Sequence, residues 1–146
     1  MTAKSRGFTL IELLVVVAIL GIIAAIGITS YNGYVSSTKK KSTENVLRQI
    51  ALAQTEYYSD NQIYYYDKTS GDCTATVTTS QSIETNLLGG SKTIIDPKDK
   101  KALNGYWICI SNDTSGFKAK AIEENNRSGC KIELFADTRV ERNNKC

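Results

Sequence analysis

The sequence predicts an α+β protein in which one long N-terminal α-helix packs on a C-terminal antiparallel β-sheet of three to four strands. Two observations carry this prediction. An apolar stretch over residues 8–28 is followed by a helical repeat that continues to about Tyr58. After residue 105, short alternating segments are separated by turn residues, which is the pattern of an antiparallel meander.

The apolar stretch of 21 residues is long enough, at about 1.5 Å per residue, to cross a hydrocarbon core of roughly 30 Å. Glu12 is the one charged residue in it. A charged side chain at the centre of a bilayer costs about 2.5–3.5 kcal/mol on insertion scales, so such residues are usually functional and have a partner. The stretch therefore predicts a single membrane-spanning helix whose acid must be neutralised.

The helical repeat persists beyond the apolar stretch, over residues 29–58. The apolar positions recur at steps of four, three and four, and two further apolar residues flank them; they are Val46, Ile50, Ala53 and Tyr57, with Leu47 and Ala51 beside them. Polar residues lie on the opposite face: Lys41, Glu44 and Arg48. This half of the helix is predicted to lay its apolar face on a sheet.

The rest of the chain predicts a long loop and then the sheet. Residues 59–104 are rich in turn-forming residues and contain the only proline, Pro97, so we expect a long loop with a short helix over residues 83–88. The predicted strands are 106–111, 117–123 and 131–136, joined by turns at 112–116 and 124–129. In the last strand Ile132, Leu134 and Ala136 alternate with outward-facing residues, which places one face of the sheet on the helix.

The composition argues against catalysis. The absence of histidine excludes Ser-His-Asp and Cys-His mechanisms and most zinc sites. The chain contains neither a nucleophile motif nor a phosphate-binding loop, so an enzyme tethered by a signal anchor is the weakest hypothesis. We therefore predict no catalytic, cofactor-binding or metal-binding residues. The net charge of +3 is too mild to indicate a nucleic-acid-binding protein by itself.

The four cysteines all follow the apolar stretch, and no two have Cys-x-x-Cys spacing. They are Cys73, Cys109, Cys130 and Cys146. An even number of cysteines in a small domain beyond a membrane segment predicts two disulfides formed in an oxidising compartment. Four cysteines allow three pairings, and their positions do not select one.

The N-terminal residues resemble the processing site of type IV prepilins. The resemblance rests on a basic leader that ends in Gly7, on Phe8 after it, and on Glu12 four residues later within an apolar run; the matching segment reads Lys4-Ser5-Arg6-Gly7-Phe8-Thr9-Leu10-Ile11-Glu12-Leu13 and continues to Tyr31 and Tyr34. It covers about the first 60 residues and implies the pilin fold. Many pilins carry a proline where this chain has Thr29, so whether the helix bends there stays open.

The resemblance implies a processing step and a division of the chain. A prepilin peptidase would cut between Gly7 and Phe8 and methylate the new Phe8 amine. Residues 1–7 would be the leader, 8–28 the transmembrane and assembly helix, 29–58 its amphipathic continuation, 59–104 the long loop, and 105–146 the sheet with a disulfide-bounded C-terminal region. The resemblance of the C-terminal region also implies the disulfide pair Cys130–Cys146, which leaves Cys73 to pair with Cys109.

The function implied is that of a structural subunit, most similar to the type IVa group. Copies of the chain, alone or with other pilins, would polymerise into a helical filament through the N-terminal helix. Thr9 and Glu12 would serve assembly, with Glu12 pairing to a neighbour's N-terminus. The inner-membrane assembly machinery would convert a single-pass inner-membrane precursor into an extracellular pilus that serves adhesion, twitching motility or DNA uptake.

Two related functions remain as alternatives. One is a pseudopilin of type II secretion, which shares the N-terminus and its processing. The other is a minor pilin that binds DNA for natural transformation through Lys39, Lys40 and Lys41, although a lysine run on a helix is more often a solvated face. Tyrosines near the helix end, among them Tyr58 and Tyr64, are expected to pack rather than to stack on a ligand.

Overall fold

The computed structural model describes residues 7–69, 71–125 and 129–146. It contains helices α1 (Leu10–Asn61) and α2 (Val77–Asn86) and strands β1 (Tyr106–Asp113), β2 (Gly116–Glu123), β3 (Lys131–Phe135) and β4 (Val140–Arg142). The strands form one antiparallel sheet in the order β1-β2-β3-β4. The predicted fold class is confirmed. Leader residues 1–6, including Lys4 and Arg6, lie outside the described residues.

Contacts divide the chain into an N-terminal unit, Met1–Thr38, and a globular unit, Lys39–Cys146. Helix α1 contributes to both units. It begins after Thr9, ends three residues beyond the predicted Tyr58, and is helical at position 29, where a proline would remove a backbone hydrogen bond. We expected the loop to start at residue 59, but residues 59–61 still belong to the helix.

The core of the globular unit joins α1 to the sheet. Val46, Leu47 and Ile50 of α1 are buried in one cluster with two cross-strand rows of the sheet. The rows are Ile108–Ala121–Ile132 and Ile110–Ala119–Leu134, read from β1 through β2 to β3. Fully burying a large aliphatic side chain stabilises by about 1.5–3 kcal/mol, so this cluster supplies much of the folding free energy. The two alanines on the central strand leave room for the helix.

The buried face of α1 differs in part from the predicted one. Ala53 and Tyr57 are only half-buried, whereas Gln54 is fully buried. The Gln54 amide nitrogen donates to the carbonyl of Tyr65 at 2.7 Å, and its oxygen accepts from the Tyr65 amide at 2.9 Å. A buried polar group without such bonds would be costly. Gln54 therefore fastens the start of the loop to the helix.

The helix in the loop begins earlier than predicted. We expected residues 83–88, but α2 spans Val77–Asn86. Thr76 caps it: the Thr76 hydroxyl accepts from the Thr79 amide at 3.3 Å, and the Thr79 hydroxyl accepts from the Thr76 amide at 2.9 Å. This reciprocal arrangement is a capping box with threonine in place of the usual Glu or Gln. Because threonine stands where glutamate or glutamine is the usual signal, the sequence pattern did not predict the start of α2.

Two corrections concern the sheet. Asn112 lies in β1, because Asp113 pairs with Gly116 across a two-residue turn. Gly116 has φ +125°, and a Cβ there would lie 2.8 Å from the Tyr64 ring, so only glycine fits without a shift. Strand β4 is the fourth strand within the expected three to four. The sequence did not place it because two of its three residues are charged.

The outer edge of β1 is closed by polar groups of the preceding loop. The Ile110 amide donates to the Asp67 carboxylate at 2.8 Å, and the Asp67 amide donates to the Ile110 carbonyl at 2.9 Å. The Ile108 amide donates to the Ser80 hydroxyl at 2.8 Å, and the Ile108 carbonyl accepts from the Thr79 hydroxyl at 2.7 Å. Edge strands with open backbone groups pair with other chains, and these contacts block that pairing at β1.

We predict that Asp67→Ala lowers the free energy of unfolding of the globular unit by about 1–3 kcal/mol, because the buried Ile110 amide loses its acceptor. Asp67→Asn is the matched control, since its amide oxygen still accepts from Ile110. Burial raises the pKa of Asp67, so the neutral amide also avoids a desolvation cost. Urea unfolding of the full chain in detergent micelles, followed by Trp107 fluorescence, measures both. Equal midpoints for the two variants would contradict the edge role.

Candidate functional site

The N-terminal unit exposes a continuous apolar surface along α1. Phe8 is 74% exposed, and the large apolar side chains that follow are exposed as well: Leu10, Ile11, Leu13, Leu14, Val15, Val16, Val17, Ile19, Leu20, Ile22, Ile23, Ile26 and Ile28. By length and composition this part of α1 is able to cross a membrane. Monomeric soluble proteins rarely expose so much contiguous apolar surface, so a membrane or a protein partner must cover it.

Glu12 closes the first turn of α1 together with Thr9. Its Oε2 accepts from the Thr9 amide at 2.9 Å and from the Thr9 hydroxyl at 2.6 Å, while the Thr9 hydroxyl oxygen accepts from the Glu12 amide at 3.3 Å. These bonds form a capping box, in which the N-cap threonine and the acid three residues later satisfy each other's backbone donors. The sequence signal of a capping box is Thr-x-x-Glu. The assembly role that we predicted for Thr9 and Glu12 did not include this cap.

The capping box uses only one of the two carboxylate oxygens of Glu12, namely Oε2. Oε1 of Glu12 accepts no hydrogen bond from any described residue, although a carboxylate oxygen has two lone pairs. Phe8, Ile11, Val15 and Val16 line a shallow groove beside Glu12, and this lining is almost entirely apolar. The site thus presents a carboxylate oxygen with spare acceptor capacity at the edge of an apolar surface.

The Gly7–Phe8 peptide lies outside the helix. Both residues precede the N-cap, and among the described residues, its chain neighbour aside, no heavy atom lies within 4 Å of the position that a Cβ of Gly7 would take. The structure thereby brings together four predicted site residues: Gly7, Phe8, Thr9 and Glu12.

The four cysteines form two disulfides in the globular unit. Cys73 is joined to Cys109, which ties the long loop to β1, and Cys130 is joined to Cys146, which ties the start of β3 to the C-terminus. The sequence separations are 36 and 16 residues. In the chain-entropy model each bridge stabilises the folded state by about 3–4 kcal/mol.

Ion pairs reinforce the loop next to the first disulfide. Lys120 is 4% exposed and its Nζ lies 2.5 Å from Asp72 Oδ2, while Lys118 Nζ lies 3.2 Å from Asp72 Oδ1 and 3.9 Å from Glu133. The hydrogen bond from Lys120 holds the pKa of Asp72 below its usual range. A buried lysine without its partner would be strongly destabilising, so Asp72 anchors the loop on this face of the sheet.

The C-terminal region is tied to α1. Arg142 forms an ion pair with Glu44 at 2.5 Å, and Lys40 donates to the carbonyl of Cys146. Lys40 is therefore a structural residue of the lysine run, whereas Lys39 and Lys41 are exposed. Glu44, which the sequence placed on the polar face of the helix, thus pairs with the C-terminal region.

The tyrosines near the end of α1 pack against one another. Tyr58 stacks on Tyr64 with ring centroids 4.6 Å apart, and Tyr64 contacts Phe117 at 5.2 Å. Tyr57 meets Tyr65 edge-on at 5.9 Å.

In the described part of the chain, His, Cys, Asp and Glu side chains form no group able to hold a metal ion.

The comparisons with known proteins agree with this geometry. The model of the prokaryotic N-terminal methylation motif matches residues 2–28. The type IV major pilin protein PilE of Neisseria gonorrhoeae is 37% identical over 115 residues, which are 79% of this chain and 61% of that protein. The N-terminal segment therefore carries the methylation motif, and most of the chain is similar to a type IV major pilin.

Other relatives match shorter segments. The fimbrial protein EcpC of Eikenella corrodens is 40% identical over 72 residues, 49% of this chain and 47% of the relative. The type IV major pilin protein PilA of Myxococcus xanthus is 39% identical over 61 residues, 42% of this chain and 28% of the relative. The chain thus spans less than two thirds of the length of each of these relatives. No solved structure gives a significant match.

We predict that Thr9→Val loosens the first turn of α1, because it removes both hydrogen bonds that the Thr9 hydroxyl makes with Glu12. Loss of an N-cap costs about 0.5–2 kcal/mol, which corresponds to roughly 2- to 30-fold faster hydrogen exchange of the first-turn amides. Thr9→Ser keeps the hydroxyl, so its first-turn amides should exchange as fast as those of the native chain. The measurement is hydrogen exchange of the full chain in micelles. Equal protection in the native protein and Thr9→Val would contradict the cap.

We predict that the contribution of Asp72 to stability is lost in acid. Because its pKa is lower in the folded state than the unfolded value of about 3.9, the contribution is present above pH 4 and disappears as the pH falls through the folded value. Asp72→Asn should be less stable than the native chain at pH 6, and the difference should shrink at pH 3. Urea midpoints at the two pH values measure this. A difference that grows in acid would contradict the ion pair.

Proposed function

We propose that this chain is a structural subunit of a type IV pilus and polymerises through its N-terminal helix. The observation that carries the proposal is the exposed apolar surface of residues 8–28, which carries one incompletely bonded carboxylate near its start. A compact globular unit held by two disulfides accompanies it. The exposed apolar surface needs a partner that covers it. The disulfide-bonded globular unit provides a stable surface in an oxidising environment.

Processing after Gly7 forms part of the proposal. A prepilin peptidase would cut the Gly7–Phe8 peptide, which lies outside the helix and is open at glycine, and would methylate the new Phe8 amine. Before the cut the Phe8 nitrogen is a neutral amide, and after it the same nitrogen is a cation. The cut therefore creates a charge that is able to neutralise a carboxylate.

Glu12 would use that charge in assembly. In the uncut chain its Oε2 is bonded to Thr9, which makes the acid tolerable without a cation. Its Oε1 is available to the N-terminal ammonium of a neighbouring subunit, so that both charges are buried together. An ion pair in a low-dielectric environment is acceptable only when both partners are present, and this pairing would fix the register of one subunit on the next.

The location and partners follow from the same proposal. The precursor would span the inner membrane once, would be handled there by the peptidase and the pilus assembly machinery, and would then join a surface filament with copies of itself or with other pilins. The relatives named as major pilins favour a pilus over a secretion pseudopilin. Adhesion, twitching motility and DNA uptake are the activities that such a filament would serve, and we propose no enzymatic role.

The test uses Glu12→Gln in a strain whose native gene is replaced. A charge-assisted bond of about 1.5–3 kcal/mol corresponds to tenfold or more, so incorporation of the variant into sheared filaments should fall at least tenfold. Glu141→Gln, the same change at an exposed acid of β4, is the control and should incorporate like the native chain. Quantitative mass spectrometry of purified filaments measures incorporation.

The same spectra give the mature N-terminus. We expect the chain in filaments to begin at methylated Phe8 in the native protein and in both variants. Normal incorporation of Glu12→Gln would overturn the role of the carboxylate. Filaments containing chains that retain residues 1–7 would overturn the processing step, and absence of the native chain from filaments would overturn the pilus function.

A further inference from the structure

We propose that the globular unit docks on the membrane that anchors the chain, through a basic surface that binds anionic phospholipid headgroups. The basic surface lies where α1 enters the globular unit. It consists of four exposed lysines and one exposed leucine; they are Lys39, Lys41, Lys101, Lys145 and Leu103. The inference rests on the proposed membrane-spanning precursor and adds to it a second membrane contact, made by the globular unit itself.

A hairpin over residues 94–103 reaches the first turns of α1 in the globular unit. Just after the hairpin, Asn104 Oδ1 accepts from the Ser42 hydroxyl at 3.0 Å. The Lys39 side chain comes within 3.7 Å of the position that a Cβ of Gly105 would take. The end of the hairpin and the start of this part of α1 are therefore in direct contact.

The hairpin turns one lysine and one leucine outward. The Leu103 amide donates to the Ile94 carbonyl at 2.9 Å, and the Ile94 amide donates to the buried Glu84 carboxylate of α2 at 3.2 Å. Ala102 is buried, whereas Lys101 and Leu103 on either side of it are exposed. Because successive side chains of an extended arm point to opposite faces, Lys101 and Leu103 share the outward face.

The C-terminal region meets the same turns of α1. Lys40 donates to the carbonyl of Cys146, and Arg142 forms an ion pair with Glu44. Lys145 is exposed directly beside this attachment. Three segments that are distant in sequence thus bring exposed lysines to the place where α1 enters the globular unit.

The exposed charge at this place is mainly positive. Among the described residues, none of the four lysines of the basic surface forms an ion pair. The hairpin tip adds Lys98 and Lys100, which are also exposed. The nearby acids are fewer, and all but one are half-buried; they are Asp96, Asp99, Glu123 and Glu124. The basic surface therefore suits an anionic partner.

The position of the basic surface along the chain favours a membrane as that partner. Tyr31 and Tyr34 follow the apolar stretch and are 67% and 71% exposed. Tyrosines concentrate at membrane–water interfaces, so these two mark the level of the headgroups. Lys39 comes five residues after Tyr34 in the same helix, a rise of about 7.5 Å. Charges act over about 8 Å at physiological salt, so Lys39 lies within reach of headgroup phosphates.

The side chains of the basic surface suit a bilayer better than a dissolved polyanion. Lysine places its apolar stem along hydrocarbon and its ammonium among phosphates, and Leu103 gains only where apolar material is available to cover it. DNA offers phosphates but no hydrocarbon. Each lysine near an anionic lipid surface strengthens binding roughly fivefold, so four lysines favour the docked state. Docking would keep the globular unit at the membrane until the subunit leaves the bilayer.

The test is hydrogen exchange of the full chain in lipid nanodiscs, made of phosphatidylcholine alone or of equal parts phosphatidylcholine and phosphatidylglycerol. Exchange of the amides of residues 97–101 should be at least about threefold slower in the anionic discs, and high salt should abolish the difference. Lys101→Gln with Lys145→Gln should exchange equally in both lipid mixtures, because it removes two contributions of roughly fivefold each.

Lys68→Gln with Arg139→Gln is the control with the same change in net charge. Both side chains are exposed and lie away from the basic surface, since Lys68 pairs with Ser111 and Arg139 lies over the Phe135 ring. This control should keep the native difference between the two lipid mixtures. Each variant should also show a native urea midpoint in micelles, which separates docking from folding.

Equal exchange of the native chain in both lipid mixtures would overturn the docking and leave the pilus function in place. The same holds if the Lys101→Gln, Lys145→Gln variant keeps its protection, or if the control loses as much. Equal slowing by duplex DNA added to phosphatidylcholine discs would also overturn it, since the basic surface would then bind phosphates without a membrane. Failure of the native chain to enter nanodiscs would overturn the membrane-spanning precursor as well.

Discussion

The globular unit depends on the packing of α1 against the centre of the sheet. Val46, Leu47 and Ile50 lie in the same core as two rows of aliphatic residues of the sheet. Gln54, on the same side of the helix, holds the loop through the Tyr65 backbone. The loop in turn closes the edge of β1. One face of α1 therefore packs on the sheet and also holds the start of the loop.

Much of this architecture was predictable, because helix and strand periodicities are strong signals when a whole face is buried. The failures have local causes. Gln54 is polar and so breaks the apolar repeat, although its two backbone bonds make its burial favourable. Helix α2 is marked by a threonine at the position where glutamate is the usual signal. Strand β4 is too short to alternate, and it pairs because β3 lies beside it.

The candidate site was more predictable in its residues than in its local chemistry. Gly7, Phe8, Thr9 and Glu12 stand out because a charge in an apolar run is rare. The Thr-x-x-Glu spacing also signals the capping box between Thr9 and Glu12, but the assembly role that we predicted for these residues did not include it.

Under the proposed function, the closed edge of β1 would matter before the subunit polymerises. Precursors held side by side in a membrane would be confined to two dimensions, where encounters between identical chains are frequent. A sheet with an open edge would then offer a template for strand exchange. Because Ser80 and Asp67 accept from the Ile108 and Ile110 amides, that edge offers fewer free backbone donors, and the exposed helix would be left as the surface through which chains combine.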